Sequence, residues 1–359
     1  MATGQPDAAA LMAALRDFKD PETGRGIHDF DQLRVDAIGN GSIKLTLRLA
    51  THSAPLWQET RAALIERVKV LFPQLRQVEV ELAVLDRPPQ PIGQIGLRAK
   101  SVIAVGSGKG GVGKSTIAAS IALGLKRAGC NVGLMDADVY GPSIPHLLGL
   151  SDAQPAPNLP IQPVMYQDLP VMSIGFFVPP NQAIIWRGPK LHGAVTQFLR
   201  DTAWGPLDYL IIDMPPGTGD VALTLSQLLP LTGCVIVCTP QEVALLDAVK
   251  AISMFRTVNI PILGMVENMS GFLCPDNGKT YDIFGKGGAR AKAEEVGIPF
   301  LGEVPITISI REHGDAGETA DNFNDPQVAP YLEKICATLV RNLAQKVAVA
   351  PAMPSLPVL

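Results

Sequence analysis

The spacing of apolar residues changes character several times along the chain. From Ala9 to Phe18 apolar positions recur at helical intervals, then run into the turn Asp20-Pro21-Glu22-Thr23-Gly24. Ile43, Leu45, Leu47 and Leu49 alternate with Lys44, Thr46 and Arg48, the period of two of a half-buried strand. Between Pro55 and Phe72 the period lengthens again, with Leu56, Ala63, Leu64, Val68 and Leu71 at helical spacing. Val78, Val80 and Leu82 then return to alternation. Residues 1–83 therefore predict a small α+β domain. Residues 84–98, with three prolines and two glycines, predict a linker that continues neither helix nor strand.

Beyond Ser101 the pattern becomes strand, helix, strand. Val102–Val105 predicts a short buried strand, Ser115–Ala128 a helix and Val132–Asp136 the next strand. Leu207–Asp213 and Cys234–Thr239 are nearly continuous apolar runs, which suit parallel strands covered on both faces. Strands alternating with helices over residues 99–346 predict an α/β domain with a doubly wound, mostly parallel sheet. The tail 347–359 carries three prolines and is expected to be disordered.

Between the first strand and helix of this domain lies Gly108-Lys109-Gly110-Gly111-Val112-Gly113-Lys114-Ser115, which satisfies G-x-x-x-x-G-K-[ST] in full. Glycines let backbone N–H groups converge on phosphate oxygens, and the helix N-terminus adds a positive dipole end. Lys114 is expected to neutralise the β- and γ-phosphates, Ser115 to offer its hydroxyl to Mg²⁺, and Thr116 to complete the nucleotide contacts. The fold is then that of a P-loop NTPase, and the expected activity is ATP hydrolysis. Lys109 is a second lysine inside the loop, either solvated or catalytic.

Two predicted strands end in carboxylates, at the sheet edge where ligands bind. Asp136-Ala137-Asp138 closes one, and Asp138 is the candidate for orienting the attacking water, whereas Asp136 caps the loop or shares the chemistry. Asp213 closes Leu207–Asp213 in a Walker B pattern and is expected to hold Mg²⁺ through water. Met214-Pro215-Pro216-Gly217-Thr218-Gly219-Asp220 follows, fixed by prolines and freed by glycines, as suits a switch loop sensing the γ-phosphate.

Composition narrows the classes. The formal net charge is −4, so no basic footprint points to nucleic acid. No apolar run approaches the ~20 residues of a membrane helix. The N-terminus has no basic region before its apolar part, so a cytoplasmic protein is expected. Five scattered cysteines, an odd number, argue against a disulfide framework. Cys234 and Cys238 share one face of a buried strand and read as small hydrophobes, and Cys130 and Cys336 as structural. The five histidines show no ligand spacing.

Lys109-Gly110-Gly111-Val112-Gly113-Lys114-Ser115-Thr116 resembles the deviant Walker-A class, which includes nitrogenase iron protein and the Min and Par ATPases. That resemblance implies that Lys109 reaches across a homodimer to the partner's nucleotide. Asp136-Ala137-Asp138-Val139-Tyr140-Gly141-Pro142-Ser143, Trp186-Arg187-Gly188-Pro189, Met214 to Asp220, Thr239-Pro240-Gln241 and Glu267-Asn268-Met269-Ser270 narrow it further. Together these look like the Mrp (ApbC) family of iron–sulfur cluster carriers, over residues 100 to about 345. The N-terminal module resembles the small iron–sulfur-assembly domain often fused ahead of it, with Asp20-Pro21-Glu22 its most recognisable piece. The resemblance implies a dimer that holds a [4Fe–4S] cluster and passes it to apoproteins. It also implies that Asn268 reads adenine, that backbone near Pro305 closes the pocket, and that Arg187 lies in a family surface loop.

The chain departs from the family at the cluster motif. Where the family has Cys-Pro-x-Cys, this sequence reads Cys274-Pro275-Asp276-Asn277, and in the N-terminal module Ala54 stands where relatives often carry a cysteine. Asparagine is a poor ligand for soft iron–sulfide. Three readings of Cys274 stay open: ligand of a labile cluster completed by glutathione, Asp276 or the receiving protein; transient iron binding; or a leftover thiol. Two other functions stand beside the carrier, namely a Min- or Par-like spatial organiser and an ATP-dependent scaffold. Against the former, Lys346 to Leu359 carries one basic residue and three prolines, unlike a membrane-targeting helix.

Overall fold

The computed structural model describes residues 7–39, 41–139, 141–156, 159–177, 188–217 and 219–349. They form two compact units, one within residues 1–87 and 340–359 and one within residues 88–339. Tyr140, Trp186, Arg187, Thr218 and the tail beyond Val349 lie outside the described residues.

The first unit builds a three-stranded sheet and two helices. Helix α1 (Ala8–Ala14) starts where the Asp7 carboxylate accepts a hydrogen bond from the Ala10 N–H at 2.6 Å, an N-cap. Strands β1 (Leu33–Gly39) and β2 (Ser42–Leu49) pair antiparallel. Helix α2 (Trp57–Leu71) then crosses over to β3 (Gln77–Val84), parallel to β2. The helix starts two residues after the expected Pro55, because a 3₁₀ turn over Thr51–Leu56 accommodates the proline. As the alternation requires, Ile43, Leu45, Leu47 and Leu49 are buried against Leu11, Leu15, Leu64 and Val68. Each such side chain contributes about 1.5–3 kcal/mol when taken from water. Asp20 is buried, its carboxylate accepting from the Thr23 hydroxyl at 2.8 Å and from Arg87 at 3.2 Å. The Asp-Pro-Glu signature is thus the hydrogen-bonded hub of this unit.

The second unit begins inside the stretch expected to be a linker. Strand β4 (Pro91–Ile92) folds back antiparallel on the start of β5 (Leu97–Gly106). Gly93 and Gly96 turn the chain at positive φ, and an edge strand of two residues tolerates Pro91. β5 is therefore longer than the apolar run Val102–Val105 suggested.

The remaining elements follow in order: α3 (Lys114–Ala128), β6 (Val132–Asp136), α4 (Ile144–Leu147), β7 (Val164–Tyr166), β8 (Leu169–Ser173), α5 (Gly188–Asp201), β9 (Leu207–Asp213) and α6 (Gly219–Leu228). Then come β10 (Gly233–Cys238), α7 (Glu242–Thr257), β11 (Ile262–Leu273), β12 (Thr280–Tyr281), α8 (Gly288–Glu295), β13 (Phe300–Ile306), α9 (Ile308–Ala316) and α10 (Ala329–Val349). Helix α10 thus runs past Val347, where a disordered tail was expected to begin.

The sheet order is β12-β11-β10-β5-β9-β6-β8-β7, with β13 also on β11. Every neighbour pair from β13 through β11, β10, β5, β9 and β6 to β8 is parallel, and β7 and β12 add antiparallel edges. This is the doubly wound, mostly parallel α/β sheet that the strand–helix alternation predicts. Strands β5, β6, β9, β10 and β11 are buried almost throughout, which explains their unbroken apolar runs. Because they run parallel, the chain segments that leave their carboxyl ends converge on one edge.

Candidate functional site

The phosphate loop occupies the carboxyl end of β5. Gly111 and Gly113 adopt φ of +78° and +77°, a region that side-chain-bearing residues seldom enter. A Cβ on Gly108 would lie 2.2 Å from the carbonyl of Asp247 in α7, so this glycine lets the loop rest on that helix. Val112 is buried behind the loop. Lys109, Gly110, Gly111, Gly113, Lys114, Ser115 and Thr116 line a cavity of about 400 Å³, together with Asp138 and Pro216. Gly217 donates its N–H to the Ser107 carbonyl at 3.1 Å, docking the segment after β9 beside the loop.

The acidic residues converge on Lys114. Its Nζ donates to Asp213 Oδ1 at 2.6 Å, lies 3.6 Å from Asp138 Oδ2 and 3.2 Å from the Ser115 hydroxyl. Asp213 and Asp136 are register partners on β9 and β6, and both are fully buried. Burial raises the Asp213 carboxyl, while Lys114 and Ser115 pull it down. Burial, with Asp213 beside it, pushes Asp136 up to about 8.

Asp136 does not line the cavity. It accepts from the Asp138 N–H at 3.0 Å, the Ile144 N–H at 3.3 Å and the Ser173 hydroxyl at 3.0 Å. Of its two expected uses, geometry assigns it to capping the loop, and through that cap it aims Asp138. Asp213 Oδ2 is a buried oxygen with no hydrogen-bond partner. Asp213 lies behind Lys114 rather than in the cavity lining, and its orphaned oxygen, with the Ser115 hydroxyl that also acts on it, fits a hard divalent cation that takes oxygen ligands.

Lys109 is half-buried, and among the described residues it makes no ion pair. Its carbonyl accepts from the Ser107 hydroxyl at 2.9 Å, so the loop is held by its backbone while the ammonium stays uncommitted.

A second cavity, of about 480 Å³, adjoins the first through Gly113, Thr116, His146 and Leu147. Asn268, Met269, Phe284, Pro305, Thr307 and Ile310 line it, placing Asn268 and Pro305 together as expected. Asn268 donates Nδ2–H to the Val112 carbonyl at 2.9 Å, joining β11 to the phosphate loop. A Cβ on Gly113 would lie 2.1 Å from that Nδ2. Gly113→Ala is therefore expected to expel Asn268 from the loop and weaken ADP binding at least tenfold, about 1.4 kcal/mol, in a calorimetric titration. Unchanged affinity would show that the Asn268 bond does not shape the site. Met269 and Phe284 carry no nucleotide motif, and hydrophobic periodicity gives no sign of either.

Cys274 lies just beyond this pocket, in the hairpin between β11 and β12. Its N–H donates to the Lys279 carbonyl at 3.0 Å, and the Gly278 N–H returns a bond to its own carbonyl at 2.9 Å. Asn277 is used up in that turn: Oδ1 accepts from the Lys279 N–H at 2.9 Å and Nδ2 donates to the Tyr281 hydroxyl at 3.1 Å. Cys274 is partly exposed, whereas Cys130, Cys234, Cys238 and Cys336 are buried. Burial raises the thiols of Cys234, Cys238 and Cys336, the latter two to about 12, so they stay protonated and inert. Among the described residues no three His, Cys, Asp or Glu side chains cluster as a metal cage. Among them, too, no helix is long and apolar enough to cross a membrane.

A family model described as "NUBPL iron-transfer P-loop NTPase" matches residues 98–340, and one described as "Iron-sulfur cluster assembly protein" matches residues 8–82. The chain is 42% identical over 345 residues to an iron-sulfur cluster carrier protein of Deinococcus radiodurans, covering 94% of each. It is 42% identical over 355 residues to one from Synechocystis, covering 95% of this chain and 98% of that protein. Among solved structures, a nucleotide-binding protein of Archaeoglobus fulgidus in complex with ADP superposes with a TM-score of 0.56. It is 41% identical and covers 64% of this chain and 90% of its own. The match of the iron-transfer model over residues 98–340, where the phosphate loop stands at the head of a parallel sheet, shows that the chain belongs to the family of iron-transfer P-loop NTPases.

Proposed function

We propose that this protein is an ATP-hydrolysing iron–sulfur cluster carrier that works as a cytoplasmic homodimer and hands a [4Fe–4S] cluster to apoproteins. The observation that carries the reading is the adjacency of a complete nucleotide site to the partly exposed Cys274. The names of the Deinococcus and Synechocystis relatives support the same cargo.

Nucleotide binding starts with an exchange of partners. Lys114 leaves Asp213 for the β- and γ-phosphates, and Asp213 with Ser115 would hold Mg²⁺, which would supply charge neutralisation on the phosphate oxygens. Asn268 and the backbone around Pro305 take the adenine. Asp138, aimed by Asp136, orients the attacking water. Lys109 of each protomer stabilises charge developing at the partner's site. Exposed apolar side chains support a dimer face here: Val243 and Leu246 on α7, the helix that backs Gly108, and Ile283 after β12.

Each protomer offers one thiolate to the cargo, so a dimer offers two. Four ligands are usual for such a cluster, and the remainder come from glutathione, Asp276 or the receiving protein. An incompletely ligated cluster is labile, which suits delivery. The Min- and Par-like reading is not favoured, since the chain belongs with iron-transfer proteins.

Anaerobic reconstitution followed by iron and acid-labile sulfide analysis tests the cargo. Wild type is expected to retain both, and Cys274→Ala to lose both. A wild-type protein that retains neither iron nor sulfide overturns the carrier reading and leaves the nucleotide site standing.

A further inference from the structure

Glu267 is a fully buried carboxylate that neither the nucleotide chemistry nor the cargo uses directly. It sits on β11 immediately before Asn268. Its Oε1 accepts from the Ser270 hydroxyl at 2.6 Å and the Gly287 N–H at 2.8 Å, and its Oε2 from the Ala289 N–H at 2.7 Å. Two of these donors open α8, where the helix dipole also favours a negative charge. The segment from Ser270 to Gly287 is the excursion that carries Cys274, so Glu267 closes its neck by holding both ends.

The neck is also a wall of the base pocket. Met269, just before the excursion, and Phe284, near its end, both line that cavity. The backbone between them is irregular: Met269 has φ +59°, Gly271 φ +75°, and the β11–β13 register shifts between Asn268 and Phe272. A non-glycine residue held at positive φ is strained and persists only where its surroundings impose it. The Ser270–Glu267 bond is one such constraint. Successive strand residues thus face two duties, Asn268 toward the nucleotide and Glu267 toward the thiol hairpin.

We infer that Glu267 is a positioning residue that couples base-pocket occupancy to the state of Cys274. An adenine base against Met269 and Phe284 sets the neck, and Glu267 transmits that setting to the hairpin because it binds both of its ends. The inference rests on the carrier reading for its purpose. Its test needs no cluster, so the two can fail separately.

Cys274 is the one cysteine of the five that is not buried, so a thiol-alkylating reagent reads it in the full-length protein. Mg·ADP fills both cavities, while pyrophosphate fills only the phosphate loop. In wild type, ADP is expected to change the Cys274 alkylation rate at least about fivefold, the lower end of ordinary coupling free energies. Pyrophosphate is expected to leave it unchanged. In Glu267→Gln, whose amide cannot accept from both α8 N–H groups and Ser270, ADP still binds but the alkylation rate no longer responds. Should that variant fail to fold or to bind ADP, Ser270→Ala removes only one of the three bonds and is expected to diminish the response. The inference is overturned if wild type shows no ADP response, if pyrophosphate reproduces it, or if either folded variant keeps the full effect.

Discussion

Lys109→Ala is expected to lower steady-state ATP hydrolysis by roughly 10³-fold or more, the range in which a charge supplied in trans acts on phosphoryl transfer. ATP affinity is expected to stay within about fivefold, the worth of an exposed ion pair. The structure separates the two effects. The Lys109 backbone is anchored through Ser107, and its ammonium forms no ion pair among the described residues, so truncation leaves the loop intact. If the lysine serves the partner's nucleotide, activity must also be restorable by mixing. A Lys109→Ala protomer keeps its own Asp138, and an Asp138→Ala partner donates its intact Lys109 to that site. Mixing the two inactive variants is therefore expected to recover turnover. A lysine acting within its own chain would recover none, and equal turnover of Lys109→Ala and wild type would remove Lys109 from the catalysis.

The second large effect concerns stability as well as binding. Lys114 is the ammonium nearest to Asp213, a carboxylate with no exposure to solvent. Removing one partner of a buried ion pair leaves an uncompensated charge and costs about 3–5 kcal/mol. Lys114→Met is therefore expected to lower the Tm of the nucleotide-free protein by about 10 °C, at 2–4 °C per kcal/mol. It is also expected to abolish ATP binding, because Lys114 is the cationic side chain that the helix N-terminus offers to the β- and γ-phosphates, and the remaining loop N–H groups and hydroxyls carry no full charge. Adding Asp213→Asn removes the orphaned charge, so the double variant should regain most of the lost Tm while binding no Mg·ATP. A double variant no more stable than Lys114→Met would mean that the pair is not what stabilises this site. Calorimetry of the four proteins of the cycle supplies the coupling energy directly.

These expectations draw on features of unequal visibility in the sequence. The nucleotide loop is legible because its chemistry is local: glycines at positive φ, a lysine and a serine must follow one another between a strand and a helix. Asp138 and Asp213 are legible because a carboxylate at the end of an apolar run falls at the sheet's ligand edge. The buried face of β2 follows from alternation alone. Within the 84–98 stretch, residues 91–98 form a tight hairpin, which prolines and glycines mark as readily as a linker, and only packing against β5 distinguishes the two.

The amino-acid sequence by itself thus determined the doubly wound α/β class, the phosphate site, the carboxylates that face it and the single unusual cysteine. Tertiary structure alone decided which of these touch. Lys114 meets Asp213 across 99 residues, and Asn268 meets Val112 across 156. Asp136 turned out to cap a loop, Phe284 to wall the second cavity and Glu267 to clasp both ends of the Cys274 excursion. Local propensity and periodicity report which face of an element is buried, since that depends on the element's own geometry. The partner of a buried polar atom depends on which other element packs there, and that is settled only when the sheet assembles.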